Sequence, residues 1–155
     1  MDENRFTIYD SRFTIYESMT SYNDPAIRIV LLPRDTNSQG TIFGGIILSY
    51  IDIAGAVEAH RQTKLERFVT VAMREVIFHS PVFVGDLVSF YAETVRLGTT
   101  SITIRVIVEA ERPASAEGRV RVTEAEVIYV AVDENRQKIK INKEQVEANE
   151  SAGGT

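Results

Sequence analysis

A chain of 155 residues, 44% hydrophobic and 25% charged, has ordinary globular composition and the length of one domain with a full core. Its net charge of -5 leaves no basic stripe to neutralise phosphates, which argues against nucleic acid as a partner. With no cysteine, thiol catalysis, disulfides and Cys-ligated metal are excluded, and a reducing, cytoplasmic setting fits.

The first segment, Arg5 to Ser18, reads RFTIYDS and then RFTIYES. Its alternation and β-branched residues predict extended structure, so 1–25 is taken as a β-rich extension. Asp2 and Glu3, with no apolar run of signal length, argue against secretion. Ala26 to Leu32 (AIRIVLL) forms a short apolar strand halted by Pro33, and Arg34 to Gly40 (RDTNSQG) is a turn-rich loop. A helix is expected from about Gly45 to Arg61. Its apolar positions, Ile46, Ile47, Leu48, Tyr50, Ile51, Ile53, Ala54 and Val57, cover almost the whole circumference. That pattern predicts a helix enclosed by protein. The longest apolar stretch, Ile42 to Ile53, is too short to cross a bilayer and contains Asp52, so no membrane partner is expected.

After the helix the period changes to that of strands. Phe68 to Phe78 is apolar on both parities and predicts a strand covered on both faces. Pro81 to Asp86 is a turn, Leu87 to Leu97 a strand, and Gly98 to Thr100 a tight turn. Ser101 to Ala110 alternates cleanly as the next strand. A loop around Pro113 to Gly118 leads to a last long strand, Arg119 to Val132. The main domain is set at 26–141, and the polar tail 142–155 reads as disordered. One helix and a run of long strands pack most economically as an α+β fold, a curved antiparallel β-sheet wrapped around one long buried helix. Such a sheet leaves edges that need cover, and dimerisation supplies it.

Asp52 is the position with chemical promise. Its neighbours one helical turn away, Leu48, Ser49, Gly55 and Ala56, offer no cation. A buried carboxylate must be hydrogen-bonded, paired from elsewhere or put to use. From the residues alone it is either a structural acid, held by a local donor such as Ser49 or Tyr50, or a catalytic one. Asn37 on its own reads as a turn residue. Gly44-Gly45 either lets a ligand approach the backbone or permits close packing. The two histidines, His60 and His79, lack the spacing of a metal-ligand pair, and no metal site is expected.

Four segments together carry a resemblance: LPRDTNSQGTIFGGIILSYID (Leu32 to Asp52), FVTVAMREVIFHSPVFVGD (Phe68 to Asp86), GTTS (Gly98 to Ser101) and VTEAEVIYVAVDENRQ (Val122 to Gln137). The chain resembles the hotdog-fold acyl-CoA thioesterases, specifically the bacterial cytosolic acyl-CoA hydrolase group, from about Ala26 to Lys140. The resemblance implies hydrolysis of an acyl-CoA thioester to a carboxylic acid and free coenzyme A, with no cofactor beyond the coenzyme A of the substrate. It implies a homodimer as the minimal unit and a trimer of dimers, a homohexamer, as the assembly. Asp52 matches the family's helix carboxylate, a general base or nucleophile. Asn37 matches its loop Asn, supplied by the opposing subunit, and Gly45 offers a backbone N–H to the oxyanion. Gly44, Thr70, Gly98, Thr99, Thr100 and Ser101 are the positions implied for substrate and coenzyme A. Where relatives often carry a Lys-Lys pair this chain has Glu109 and Ala110, which leaves Arg112 as the substitute phosphate contact. A hotdog dehydratase would need a His-acid pair at the helix start, where neither histidine lies. A non-catalytic acyl-CoA-binding or assembly module is the alternative.

Overall fold

The computed structural model describes residues 24–113, 115–116, 118–142, 144 and 146, and the extension expected over the first residues falls almost entirely outside them. Five strands and one long helix follow in the order β1 (Ile27–Val30), α1 (Gly44–Thr63), β2 (Phe68–Phe78), β3 (Leu87–Leu97), β4 (Ser101–Glu111) and β5 (Arg119–Ala131). The strands form one antiparallel sheet in the order β1-β3-β4-β5-β2. The predicted α+β architecture is the one observed. No described helix is long and apolar enough to cross a membrane.

Alternation in β4 decides which face of the sheet is the inner one. Ile102, Ile104, Val106, Val108 and Ala110 are fully buried and share a core with Ile47, Ile51 and Ala54 of α1. On the outer face Arg105 lies between Glu93, at 3.5 Å, and Glu126, at 2.9 Å, an opposite-charge ladder across three strands. Register shifts at Thr94/Arg96 and Thr70/Ala72 mark bulges, which bend a strand and increase its twist. The helix ends at Lys64, which takes the left-handed conformation (φ 60°) while its N–H caps the His60 carbonyl.

Two expectations need correction. The helix is enclosed on one side only: Ile53 stays 51% exposed, and Asp52 is half-buried. Strand β2 is not covered on both faces but is the sheet's edge, with Val71 and Ile77 more than half exposed. Apolar runs report that a surface is covered in the working protein, not by which chain, and a second copy satisfies them as well as a second layer. Val146 is buried in the same core as Ile47 and Ile51, and residues 143, 145 and 147–155 lie outside the described set.

Candidate active site

Asp52 is held from two directions by strands that follow it in the chain. The Thr70 hydroxyl, on β2, donates to its Oδ1 at 2.7 Å. The Tyr129 phenol, on β5, donates to its main-chain carbonyl at 2.6 Å. Thr70 and Tyr129 stand directly opposite one another in the β2–β5 register, so both side chains project from one face of the sheet toward the helix. Neither local donor serves the carboxylate. Ser49 bonds the Ile46 carbonyl, and Tyr50 packs its ring on Phe90. No ion pair reaches Asp52 among the described residues. The carboxylate is thus bonded to the Thr70 hydroxyl and lies beside the Tyr129 phenol.

Tyr129 was not singled out by sequence reasoning, yet a signal for it exists in Gly55. Glycine inside a helix is unfavourable and marks a close approach. A Cβ at position 55 would lie 2.3 Å from the Tyr129 phenol oxygen. Burial, and then the Asp52 carboxylate beside it, hold the Tyr129 phenol well above the ordinary tyrosine value, so it stays a proton donor across the working pH range. The deepest carboxylate of α1 is not Asp52 but Glu58, whose oxygens are taken by Gln62 at 2.8 Å and Arg61 at 3.5 Å. Glu58 is thereby a structural acid.

Asn37 organises its own loop. Its Oδ1 accepts from the Gln39 N–H at 2.9 Å and the Thr41 N–H at 3.2 Å, and its Nδ2 donates to the Thr41 hydroxyl at 2.9 Å. The turn-residue reading therefore describes the protomer correctly. It also leaves a rigid amide with one Nδ2 hydrogen beyond those bonds. No hydrogen bond joins Asn37 to Asp52 within the described chain.

The loop feeds directly into α1. The Phe43 N–H bonds the Asp35 carbonyl at 2.8 Å, and no side chain caps the helix start, which leaves first-turn N–H groups at Gly44 and Gly45 without helical acceptors. Gly45 and Asp52 are seven residues apart on one helix, about 10 Å along its axis. A carbonyl bonded to the Gly45 N–H thus lies beyond direct contact with the Asp52 carboxylate of the same chain. An open groove of about 320 Å³ adjoins Gly44 and reaches Ile42, Phe78 and His79.

The turn from Gly98 to Ser101 is tied into the scaffold. The Gly98 N–H bonds the Ser101 carbonyl at 2.7 Å, and the Thr100 and Thr99 carbonyls accept from Ala131 and Ile141. The hydroxyls of Thr99 and Thr100 enter none of these bonds. Arg112, expected to replace the missing lysines, is committed elsewhere. It bonds Asp86 at 3.2 Å and the Pro81 carbonyl, and covers the Phe83 ring at 4.8 Å, which locks the 81–86 turn.

Residues 39–117 match the family model described as the thioesterase superfamily. The chain is 43% identical over 116 residues to the acyl-CoA thioester hydrolase YciA of Salmonella typhimurium, covering 74% of this chain and 86% of that protein. It is similar in structure to a hexameric hotdog-fold thioesterase of Campylobacter jejuni, with a TM-score of 0.75 and 42% identity over 82% of this chain and 96% of that one. A hexameric broad-specificity acyl-coenzyme A thioesterase matches with a TM-score of 0.76 and 36% identity, over 83% of this chain and 96% of that one.

Proposed function

Because the chain belongs to the thioesterase superfamily and, within it, to the hotdog-fold acyl-CoA thioester hydrolases, we propose that it cleaves acyl-CoA to a carboxylic acid and free coenzyme A, with Asp52 as general base. The observation that carries this reading is the tether of Asp52. Its Oδ1 is fixed by Thr70, and no cation neutralises it among the described residues. In the reaction, Asp52 takes a proton from water as the water oxygen attacks the thioester carbonyl carbon. The carbonyl oxygen becomes an oxyanion and accepts from the Gly45 N–H and the remaining Nδ2 hydrogen of Asn37. The C–S bond then breaks, and the proton held by Asp52 passes to the departing thiolate. A thioester is activated enough for a positioned base and water to suffice, without a Ser-His-Asp triad.

Geometry favours a site shared by two copies. Gly45 and Asn37 belong to one loop-helix junction, while Asp52 sits about two helical turns further on. A second chain that docks along β2 and the uncovered side of α1 brings its own junction toward Asp52. The hexameric assembly of the related thioesterases supports oligomers built from such dimers. We assign the hydroxyls of Thr99, Thr100 and Ser101 to the coenzyme A arm, as hydrogen-bonding groups at a partly exposed turn. Thr70 belongs with Asp52, as the residue that orients the base, more than with substrate binding.

The experiment is turnover of an acyl-CoA panel, with released thiol as the readout, for the wild type and Asp52→Asn. The amide keeps the shape and removes the base, so kcat should fall by roughly 10²–10⁴-fold while an unreactive acyl-CoA analogue still binds. Near-normal turnover in Asp52→Asn overturns the assignment. Absence of thiol release from the wild type leaves a binding module of the same fold.

A further inference from the structure

The glycine pair at the start of α1 is the seat of two phenyl rings. A Cβ at Gly44 would touch the Phe78 ring at 3.5 Å, and a Cβ at Gly45 would lie 2.4 Å from the Phe43 ring. Each ring thus packs on one glycine, at the turn whose N–H groups are offered to the thioester carbonyl. Both rings remain about half exposed, Phe43 at 56% and Phe78 at 46%. Large aromatic area left in water beside a reaction site awaits an apolar ligand.

The groove of about 320 Å³ continues from this point. It runs from Gly44 along Phe78 to Ile42, Ile47, Pro81 and Val82, with Thr41, His79 and Ser80 as the polar minority of its lining. Its walls are fixed, since the Ile42 N–H bonds the Val82 carbonyl at 2.8 Å and Ile47 belongs to the core. Two arms leave a thioester. The pantetheine arm carries amides that need hydrogen-bond partners, whereas the acyl arm needs only apolar walls. The groove supplies mostly the second. We infer that this groove takes the acyl chain of the substrate, and that Phe78 sets how long a chain it accepts.

The inference rests on the proposed hydrolase function and deepens it, by assigning an acyl subsite and the residue that limits it. Phe78 is the adjustable wall because it lines the groove beside Gly44 with a partly exposed side chain, not with backbone or core. Shortening that side chain widens the groove, and enlarging it narrows the groove.

The test is kcat/KM for saturated acyl-CoAs from acetyl to palmitoyl, measured for the wild type, Phe78→Ala, Phe78→Leu and Phe78→Trp, with the assembly state of each followed by size-exclusion chromatography. Each additional buried methylene is worth about fourfold in kcat/KM. Phe78→Ala should therefore raise the ratio of long-chain to short-chain kcat/KM by about tenfold or more, Phe78→Leu should fall between, and Phe78→Trp should lower it. An unchanged ratio in Phe78→Leu and Phe78→Trp overturns the inference even if Phe78→Ala fails to fold. Dissociation of the assembly with an equal loss on every chain length also overturns it, since the ring would then be a subunit contact. Failure of the wild type to release thiol from any acyl-CoA would instead strike at the hydrolase function and remove this subsite with it.

Discussion

Replacing Thr70 with valine tests whether Asp52 works as a tethered base. The change is nearly isosteric and removes one hydroxyl, the donor 2.7 Å from Oδ1. A hydrogen bond to a charged group contributes about 1.5–3 kcal/mol. If that bond holds the carboxylate in its productive rotamer, its loss should lower kcat by roughly 10–100-fold, since about 1.4 kcal/mol is tenfold in rate. KM should change little, because the bond is made equally before and after substrate arrives. Stability is a separate readout. Thr70 is exposed and water can replace its hydroxyl at the Asp52 carboxylate, so stability should fall by no more than the bond itself contributes, about 3 kcal/mol at most. Thr70→Ser returns the hydroxyl and should restore most of kcat. Steady-state kinetics with thiol detection, beside thermal unfolding of the same samples, separates these effects. A valine variant within about threefold of wild type, or a serine variant as slow as the valine one, refutes the orienting role and makes the bond incidental.

Three further outcomes follow from the same geometry. Gly55→Ala would ordinarily gain up to about 1 kcal/mol of helix propensity, but here its Cβ meets the Tyr129 phenol oxygen at 2.3 Å; Tm should fall, and a rise would mean that the contact relaxes freely. The Tyr129 phenol is raised in the folded chain, chiefly by burial. Its contribution to stability is therefore complete below the unfolded value near pH 10 and is lost as pH rises above it, with a slope of at most about 1.4 kcal/mol per pH unit. Urea unfolding between pH 9 and 11.5 should show a shallower decline in Tyr129→Phe than in the wild type; parallel declines would show that Tyr129 is not the source. Mixing and re-associating Asn37→Ala with Asp52→Ala should restore part of the activity, since some mixed interfaces regain both residues. No recovery under conditions that exchange subunits would place both groups in one subunit's site.

The sheet was legible in the sequence because its signals are local. Alternation in Ser101 to Ala110 and the tight turn at Gly98 need nothing from the rest of the chain, and the observed β3 and β4 follow them closely. The chain position of Asp52 was legible for the same reason, as an acid in an apolar helix. What holds Asp52 was not, because Thr70 and Tyr129 are 18 and 77 residues away and reach it only through strand register. Gly55 carried a trace of Tyr129, as an unexplained glycine in a helix. Arg112 shows the opposite failure. A cation at a plausible place invites a phosphate role, but composition cannot tell that Asp86, Pro81 and Phe83 already engage it.

The all-round apolarity of α1 carries the deeper lesson. Read as enclosure, it predicts one sheet closing on every side, and the protomer does not do that. Ile47, Ile51 and Ala54 face the sheet, while Ile53 and Val57 remain open. Strand β2 repeats the pattern, with Val69, Val71 and Ile77 uncovered along the sheet edge. Apolar surface of this extent on adjoining elements of one protomer is characteristic of a contact with another chain. Asp52 lies at the margin of that uncovered side, half-buried and bonded to Thr70 of the edge strand before any second chain arrives. Under the proposed mechanism, a base in such a position gains its apolar surroundings on assembly, and only then meets donors that its own chain holds about 10 Å away along the helix. On this reading oligomerisation does not merely stabilise the fold; it completes the reaction site, and an isolated protomer should be folded but inactive.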